Sequence, residues 1–372
     1  MEIMRHPEQN NKKRLLKIVL RVKSLATGLM KLFNEDFIRK DSKRMIKFAN
    51  PVENHIDVKI TYACNYKCEY CYQVDDDGHR FKGVFEEKNI NNLINFMKKT
   101  KLKYIVSLVG GEPFMYPRLN EFAQKLIKNG HRPNIITNFS APFEKIEEFI
   151  NIVKNNLFNF GISIHISQIN STEAFLLKLG KLMELKGIWP VWITCVITEE
   201  NFDKAIEIGE EIKKTYGITV YFQRVYYREI YNIYSERIEN YFKTHNIDVP
   251  KEKTGNINFF GNYCWCGIKS YYIDHNGDVH RCYTPQACKN NGILGNLSKY
   301  RKIKIFKKPY PCLSSDNGNC ICFKHFIDEK YVTNYICTNA ELKNIPSQIL
   351  PSAKQKLIEK KNKYKMEIEN KC

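Results

Sequence analysis

No uninterrupted apolar run of about 18 residues occurs anywhere in the 372-residue chain, which removes a membrane-spanning helix from consideration. Residues 14–33 come closest, but Lys17, Arg21 and Lys23 interrupt them, and the same charges spoil the short uncharged core that a secretory signal needs. The expected location is therefore cytoplasmic. Acidic residues are in deficit: 40 Asp+Glu stand against 59 Lys+Arg, a net +19. Such a surplus suits an acidic partner such as nucleic acid, a phosphorylated substrate, an acidic peptide or an anionic membrane surface. A chain saturated with Lys, Asn, Ile and Tyr reaches the same balance through composition alone. No basic stretch carries interleaved nucleic-acid motifs, and there is no low-complexity segment. Apolar residues at 43% and aromatics at 13% are ample for a buried core, so global disorder is excluded. The length suggests a main domain with an accessory one.

Cysteine is abundant, with thirteen in the chain. The number is odd, no secretory signal accompanies it, and the residues cluster: Cys64, Cys68 and Cys71, then Cys264, Cys266, Cys282, Cys288, Cys312, Cys320 and Cys322. Disulfide frameworks belong to small secreted domains, whereas close spacing without a signal favours metal or cluster ligation. Cys195, Cys337 and Cys372 stand alone and read first as ordinary thiols.

Residues 1–50 form a basic extension with one amphipathic helix candidate at 14–33, which suits packing on the main body or a membrane surface. From residue 55, β-branched runs alternate with longer amphipathic stretches. Strands are expected at 55–61, 103–109, 134–137, 159–166, 190–197 and 218–225, and helices at 86–99, 118–129, 142–155, 172–186 and 202–215. Six βα units imply a parallel sheet, either doubly wound or curled into a partial (β/α)6 barrel, over residues 51–228. Residues 229–258 read as a polar, Tyr-rich linker. Residues 259–340 read as a small cysteine-organised domain with a β-hairpin, and 341–372 as a solvated Lys/Glu helix.

Cys64-Asn-Tyr-Lys-Cys68-Glu-Tyr-Cys71 is C-x3-C-x2-C, placed just after the first strand. Three thiolates on one tight loop can hold three corners of a [4Fe–4S] cube and leave the fourth iron open. A zinc knuckle would need a fourth ligand, for which only His79 is near. With Tyr70 before the third cysteine, the loop resembles the signature of the radical S-adenosylmethionine (radical SAM) superfamily. One βα unit later, Gly110-Gly111-Glu112-Pro113 is similar to that family's GGEP motif. Two glycines let the backbone approach a ligand closely, and the Glu can accept from an ammonium group.

The resemblance implies that the open iron chelates S-adenosylmethionine, that an electron cleaves the sulfonium, and that the 5′-deoxyadenosyl radical takes a hydrogen from the substrate. It implies cofactor contacts at Tyr70, Gly110, Gly111, Glu112, Asn138, Ser163 and Gln223. Phe139 stands where many relatives have Gly, and His165 where many have Asp. Ser163 and His165 lie two apart and so share a side. His165 is open to readings as proton donor, substrate contact or core histidine, and Cys195 is a hydrogen-donor candidate if it faces the barrel. Residues 171–180 lack the Arg that relatives tend to carry.

Cys266 to Gly277 to Cys282 reads C-x10-G-x4-C, with a hairpin turn at Asn276-Gly277 and Gly295-Asn296-Leu297 beyond. This resembles the start of the SPASM or twitch modules of radical SAM enzymes, although the C-x2-C-x5-C-x3-C block is missing. The resemblance implies one auxiliary [4Fe–4S] cluster from Cys266 (Cys264 as alternative), Cys282, Cys320 and Cys322, with structural zinc as the other occupant. Cys288 and Cys312 are spare thiols, alternative ligands or hydrogen donors. By the same resemblance, the lead expectation is a maturase of a ribosomally made peptide or protein, whose acidic leader would suit the basic surplus. The first 54 residues are too short for a winged leader-binding domain. The alternatives are a dehydrogenase or epimerase of a sugar or other small metabolite and, from another class, a non-enzymatic zinc or iron–sulfur nucleic-acid binder. A flavodoxin or ferredoxin is the implied reducing partner.

Overall fold

The computed structural model describes residues 54–71, 73–74, 80–227, 230–231, 234–245, 263–264, 266–281, 293–306, 310–311 and 359. The N-terminal extension, His79, and cysteines 282, 288, 312, 320, 322, 337 and 372 lie outside the described residues, as does the C-terminal tail apart from Glu359.

Six strands, β1 (Asn54–Thr61), β2 (Tyr104–Gly110), β3 (Arg132–Thr137), β4 (Phe160–Ile164), β5 (Val191–Ile197) and β6 (Val220–Arg224), alternate with five helices. These are α1 (Glu87–Thr100), α2 (Leu119–Lys128), α3 (Phe143–Val153), α4 (Thr172–Leu185) and α5 (Phe202–Tyr216). The strands pair in parallel and in chain order, without reversal. A doubly wound sheet needs a reversal at its switch point, so of the two expected arrangements the partial (β/α)6 barrel is the one formed. Right-handed crossovers then bring all the helices to one face.

Side-chain alternation divides the two faces. Ile56, Val58 and Ile60 of β1, Val106 and Leu108 of β2, Ile162 and Ile164 of β4, and Ile193 and Ile197 of β5 are buried in one apolar core. They meet Leu93 and Phe96 of α1, Phe122 of α2, Phe149 of α3, Leu179 of α4 and Ile208 of α5. Burying each such side chain is worth roughly 1.5–3 kcal/mol. The inner face carries rows of polar groups, with Trp192 and Val196 of β5 among them: register aligns Asp57 with Ser107, Ser107 with Asn134, Ser163 with Thr194, and Val196 with Gln223.

Two features depart from expectation. The hairpin predicted for a separate cysteine-rich module continues the barrel sheet. Strand β7 (Ser270–Ile273) lies parallel to β1, and β8 (Asp278–His280) and β9 (Ile293–Asn296) follow in antiparallel order. They cover an edge of β1 that would otherwise stay unpaired. The turn is the expected one, with Gly277 at φ +82° and Asp274 Oδ1 accepting from the Asn276 and Asp278 N–H groups at 2.9 Å each. The expected linker contains helix α6 (Glu236–Thr244), whose Ile238 and Phe242, one turn apart, are buried. Glu239 receives both Nη1 (2.5 Å) and Nη2 (2.7 Å) of Arg224, and the guanidinium covers the Phe242 ring at 4.5 Å.

His131 precedes β3, and its Nδ1 accepts the Tyr104 N–H at 3.2 Å. Burial, with Lys103 and Lys98 nearby, holds the imidazole down from the usual 6.5 to about 4. An unfolded chain takes up this proton first, so stability contributed by neutral His131 is present above pH 6.5 and is lost as pH falls toward 4. The slope has a ceiling of about 1.4 kcal/mol per pH unit. Denaturant titrations of wild type and His131→Gln at pH 7.0 and 4.5 should show a smaller pH-dependent loss in the variant.

Candidate active site

The cysteine loop leaves β1 with the Ala63 N–H on Thr61 Oγ1 (3.0 Å) and turns where Cys71 N–H meets Cys68 O (3.1 Å). The end of β2 presses against it: Gly111 N–H donates to Thr61 O (2.8 Å) and Glu112 N–H to Ala63 O (2.7 Å). A Cβ on Gly110 would lie 2.3 Å from Thr61 O, and one on Gly111 2.1 Å from Ala63 O. The two glycines are thus required by the chain's own cysteine loop, before any ligand is considered.

Glu112, expected as an ammonium clamp, is held by the chain's own donors. Its side chain is buried, Oε1 accepts from Phe114 N–H (3.0 Å) and Thr137 Oγ1–H (2.7 Å), and Oε2 accepts from Asn138 N–H (2.7 Å). Burial raises its pKa and these three donors oppose the rise. The carboxylate therefore ties the end of β2 to the end of β3. Asn138, so placed, points Nδ2 at Cys64 Sγ (3.7 Å) and Asn65 Oδ1 (3.1 Å). Phe139 adopts φ +60°, the conformation for which a glycine serves best. Its buried ring packs against Phe160 and Phe175, with Lys178 Nζ over it at 4.8 Å.

At the end of β4, His165 Nδ1 lies 2.9 Å from Tyr70 Oη and 3.4 Å from Cys68 Sγ. Its ring stacks on Tyr70 (5.9 Å, 19°) and meets Tyr66 edge-on (5.9 Å, 81°). Burial holds His165 down to about 4 and pushes Cys68 up to about 11, with Cys71 and Cys64 adding to the latter. Three loop contacts were not singled out from sequence. Arg80 reaches Cys71 Sγ (3.6 Å) and Tyr66 O (2.8 Å), Gln73 Nε2 donates to Gly110 O (2.5 Å), and Gln168 Oε1 accepts the Lys67 N–H (3.3 Å). Arg80, the nearest downstream cation to the motif, is the one that its charge could have revealed.

Ser163 and Gln223 sit on the inner face by register, Gln223 exposed. Cys195 does not face the barrel. It aligns with Ile164 and Phe222, belongs to the helix-side core, and burial pushes its thiol up to about 12, so it is withdrawn as a hydrogen donor. Deeper on the inner face, His55 Nε2 lies 3.0 Å from Asp57 Oδ1 and 2.8 Å from Ser107 Oγ, which accepts from Asn134 Nδ2 at 2.7 Å. Asn134 Oδ1 is buried without a hydrogen-bond partner among the described residues.

The donor set can be tested against the cofactors that the motifs imply. Cys64, Cys68 and Cys71 are partly exposed on one loop, with Cys71 close enough to add to the upward shifts that burial gives Cys64 and Cys68. Among the described residues no three His, Cys, Asp or Glu side chains are arranged to hold a single ion. Three spread thiols with N–H donors beside them suit the corners of a [4Fe–4S] cluster. In the second motif Cys266 is buried, and Tyr263–Cys264 pairs antiparallel with Tyr310–Pro311.

Residues 58–168 match the family model described as Radical SAM superfamily. The chain carries a radical SAM domain. The family that this segment matches implies a [4Fe–4S] cluster and S-adenosylmethionine. The chain is 31% identical over 147 residues to an S-adenosylmethionine-dependent nucleotide dehydratase of Psychrobacter lutiphocae, covering 37% of this chain and 47% of that protein. It therefore spans about half the length of that relative. An uncharacterised protein of Methanocaldococcus jannaschii is 26% identical over 290 residues, 68% of this chain and 92% of the other. Streptococcus suis SuiB bound to precursor peptide SuiA superposes with a TM-score of 0.44 at 14% identity, over 66% of this chain and 63% of that one. No described helix is long and apolar enough to cross a membrane.

Within the radical SAM domain, Gly111→Ala should displace Ala63 and the loop with it. After anaerobic reconstitution the variant is expected to bind markedly less iron than wild type while keeping the wild-type far-UV circular dichroism spectrum.

Proposed function

We propose that this chain holds a [4Fe–4S] cluster through Cys64, Cys68 and Cys71 and, with S-adenosylmethionine bound beside it, abstracts hydrogen from a substrate over the inner face of the sheet. The observation that carries this reading is the convergence of three half-exposed thiols with the ends of β2, β3 and β4. When bound, the cluster and S-adenosylmethionine supply reductive cleavage of the sulfonium and a 5′-deoxyadenosyl radical. The chain's own residues hold the loop and line the space. Gly110 and Gly111 admit the loop backbone, and Glu112 sets Asn138. Ser163 and Gln223 present polar side chains on the reacting face. A flavodoxin or ferredoxin would deliver the electron.

For the substrate, the row Asp57–His55–Ser107–Asn134 favours a small hydrogen-bonding metabolite, of sugar or nucleotide type, because the open Asn134 acceptor needs a donor. A peptide or protein maturase is the second reading, favoured by the +19 charge, which suits an acidic leader. An auxiliary [4Fe–4S] cluster on Cys266 (or Cys264), Cys282, Cys320 and Cys322 belongs to the proposal. A non-enzymatic nucleic-acid binder would leave the thiol loop and its clamps without a use.

Anaerobic reconstitution, iron and zinc counting, and assay of 5′-deoxyadenosine after adding dithionite and S-adenosylmethionine test the reading. About eight irons per chain and deoxyadenosine formation are expected. Replacing Cys64, Cys68 and Cys71 together by Ala should abolish cleavage, and persistent cleavage would end the proposed mechanism. Cys282→Ala should lower the iron content by about four; unchanged iron removes the auxiliary cluster.

A further inference from the structure

We infer that His165 and Tyr70 form a donor pair that holds the Cys68 sulfur and sets the reduction potential of the cluster, an inference that rests on the cluster assignment above. His165 comes from β4 and Tyr70 from the loop itself, so the pair joins two elements at one ligand. Nδ1 faces both Tyr70 Oη at 2.9 Å and Cys68 Sγ at 3.4 Å. Stacking on Tyr70 and the edge contact with Tyr66 fix the plane of the imidazole, so this aim is built into the site.

The proton inventory decides which way the hydrogen bonds run. A cysteine that ligates iron is a thiolate and can only accept. If Tyr70 O–H donated to Nδ1 while Nδ1 carried no hydrogen, the nitrogen lone pair would face the sulfur's negative charge. With the proton on Nδ1, the N–H meets the sulfur, Tyr70 Oη accepts a share of it, and the phenol O–H remains able to turn to the sulfur as well. Ligation of Cys68 therefore selects the Nδ1–H tautomer. Hydrogen bonds to cluster sulfurs disperse the charge added on reduction and so raise the potential. The other two thiols also have N–H donors, Asn138 at 3.7 Å from Cys64 and Arg80 at 3.6 Å from Cys71. At Cys68 the donor is a ring nitrogen that also faces a hydroxyl of the cysteine loop itself, Tyr70 Oη, so two side chains with a proton to give stand at one sulfur. His165 is thus a positioning residue that acts through Cys68.

The test compares wild type with His165→Ala, His165→Asn and His165→Gln as full chains reconstituted anaerobically, reading iron content and the midpoint potential of the cluster by redox-titrated electron paramagnetic resonance. An Asn amide nitrogen occupies the place of Nδ1, whereas a Gln amide reaches toward Nε2. Ala and Gln should shift the midpoint to more negative potential, and Asn should stay near wild type. Wild-type potentials in iron-loaded Ala and Gln variants overturn the inference, as does an Asn variant that shifts with them. If the Ala variant fails to load iron, the Asn–Gln contrast decides the same question. A wild type that binds no iron overturns the functional reading itself, a different failure from an unshifted potential.

Discussion

The backbone of Thr61–Ala63 runs so close to Gly110 and Gly111 that no side chain fits between them, and the position of the cysteine loop follows from that contact. The two hydrogen bonds from Gly111 and Glu112 to Thr61 and Ala63 fix its height above β1. Glu112 then passes the constraint to β3 through Thr137 and Asn138, and His165 closes the arc from β4. A carboxylate buried this deeply is costly unless its oxygens are occupied, and here three donors occupy them. Removing one donor would leave charge partly unsatisfied inside the protein. The strand ends are therefore held as a unit rather than as separate loops.

The same sheet must satisfy opposite demands on its two faces. Toward the helices it is a continuous apolar layer, which gives the rigidity needed to aim strand ends at a common point. Toward the interior it carries Asp57, His55, Ser107 and Asn134, with Asn134 Oδ1 and His280 Nδ1 lacking partners among the described residues. Register places His280 beside Tyr272, and Tyr272 beside Asp57, so the orphan groups belong to one row across β8, β7, β1, β2 and β3. Buried polar groups without partners are few in folded proteins and call for an account. The hydrogen-bonding substrate proposed above would supply one.

Most of the barrel was legible because its helices and strands repeat apolar residues at unmistakable periods, and the loop was legible because three cysteines at fixed spacing have few uses. Helix α6 was hidden by a polar, Tyr-rich stretch in which Ile238, Tyr241 and Phe242 carry the helical spacing. The side of β5 that holds Cys195 was ambiguous because Trp192 and Val196 make the opposite face apolar as well. The role of Glu112 was unreadable for another reason. Its partners lie 25 and 26 residues away on another strand, and no local pattern encodes them. The hairpin turn could be read from Asn276-Gly277, but the pairing of β7 with β1 spans more than two hundred residues.

Phe139 shows how a departure from a familiar motif can be accommodated. A left-handed conformation costs a residue other than glycine roughly 1–2 kcal/mol, yet Phe139 adopts it at the end of β3. Its N–H donates to Thr137 Oγ1 (2.9 Å), and Lys178 from α4 donates to the Phe139 carbonyl (2.8 Å) and to that of Ala141. The ring is buried between Phe160 and Phe175, a gain that glycine could not offer. Burial of that ring is worth about as much as the strain it offsets, or more. The turn is thereby locked by side-chain packing where a glycine would leave it free, and what it locks is Asn138, one residue earlier, with its amide on Cys64. The packing of Phe139 thus couples the position of Asn138, and with it the cysteine loop, to Lys178 of helix α4.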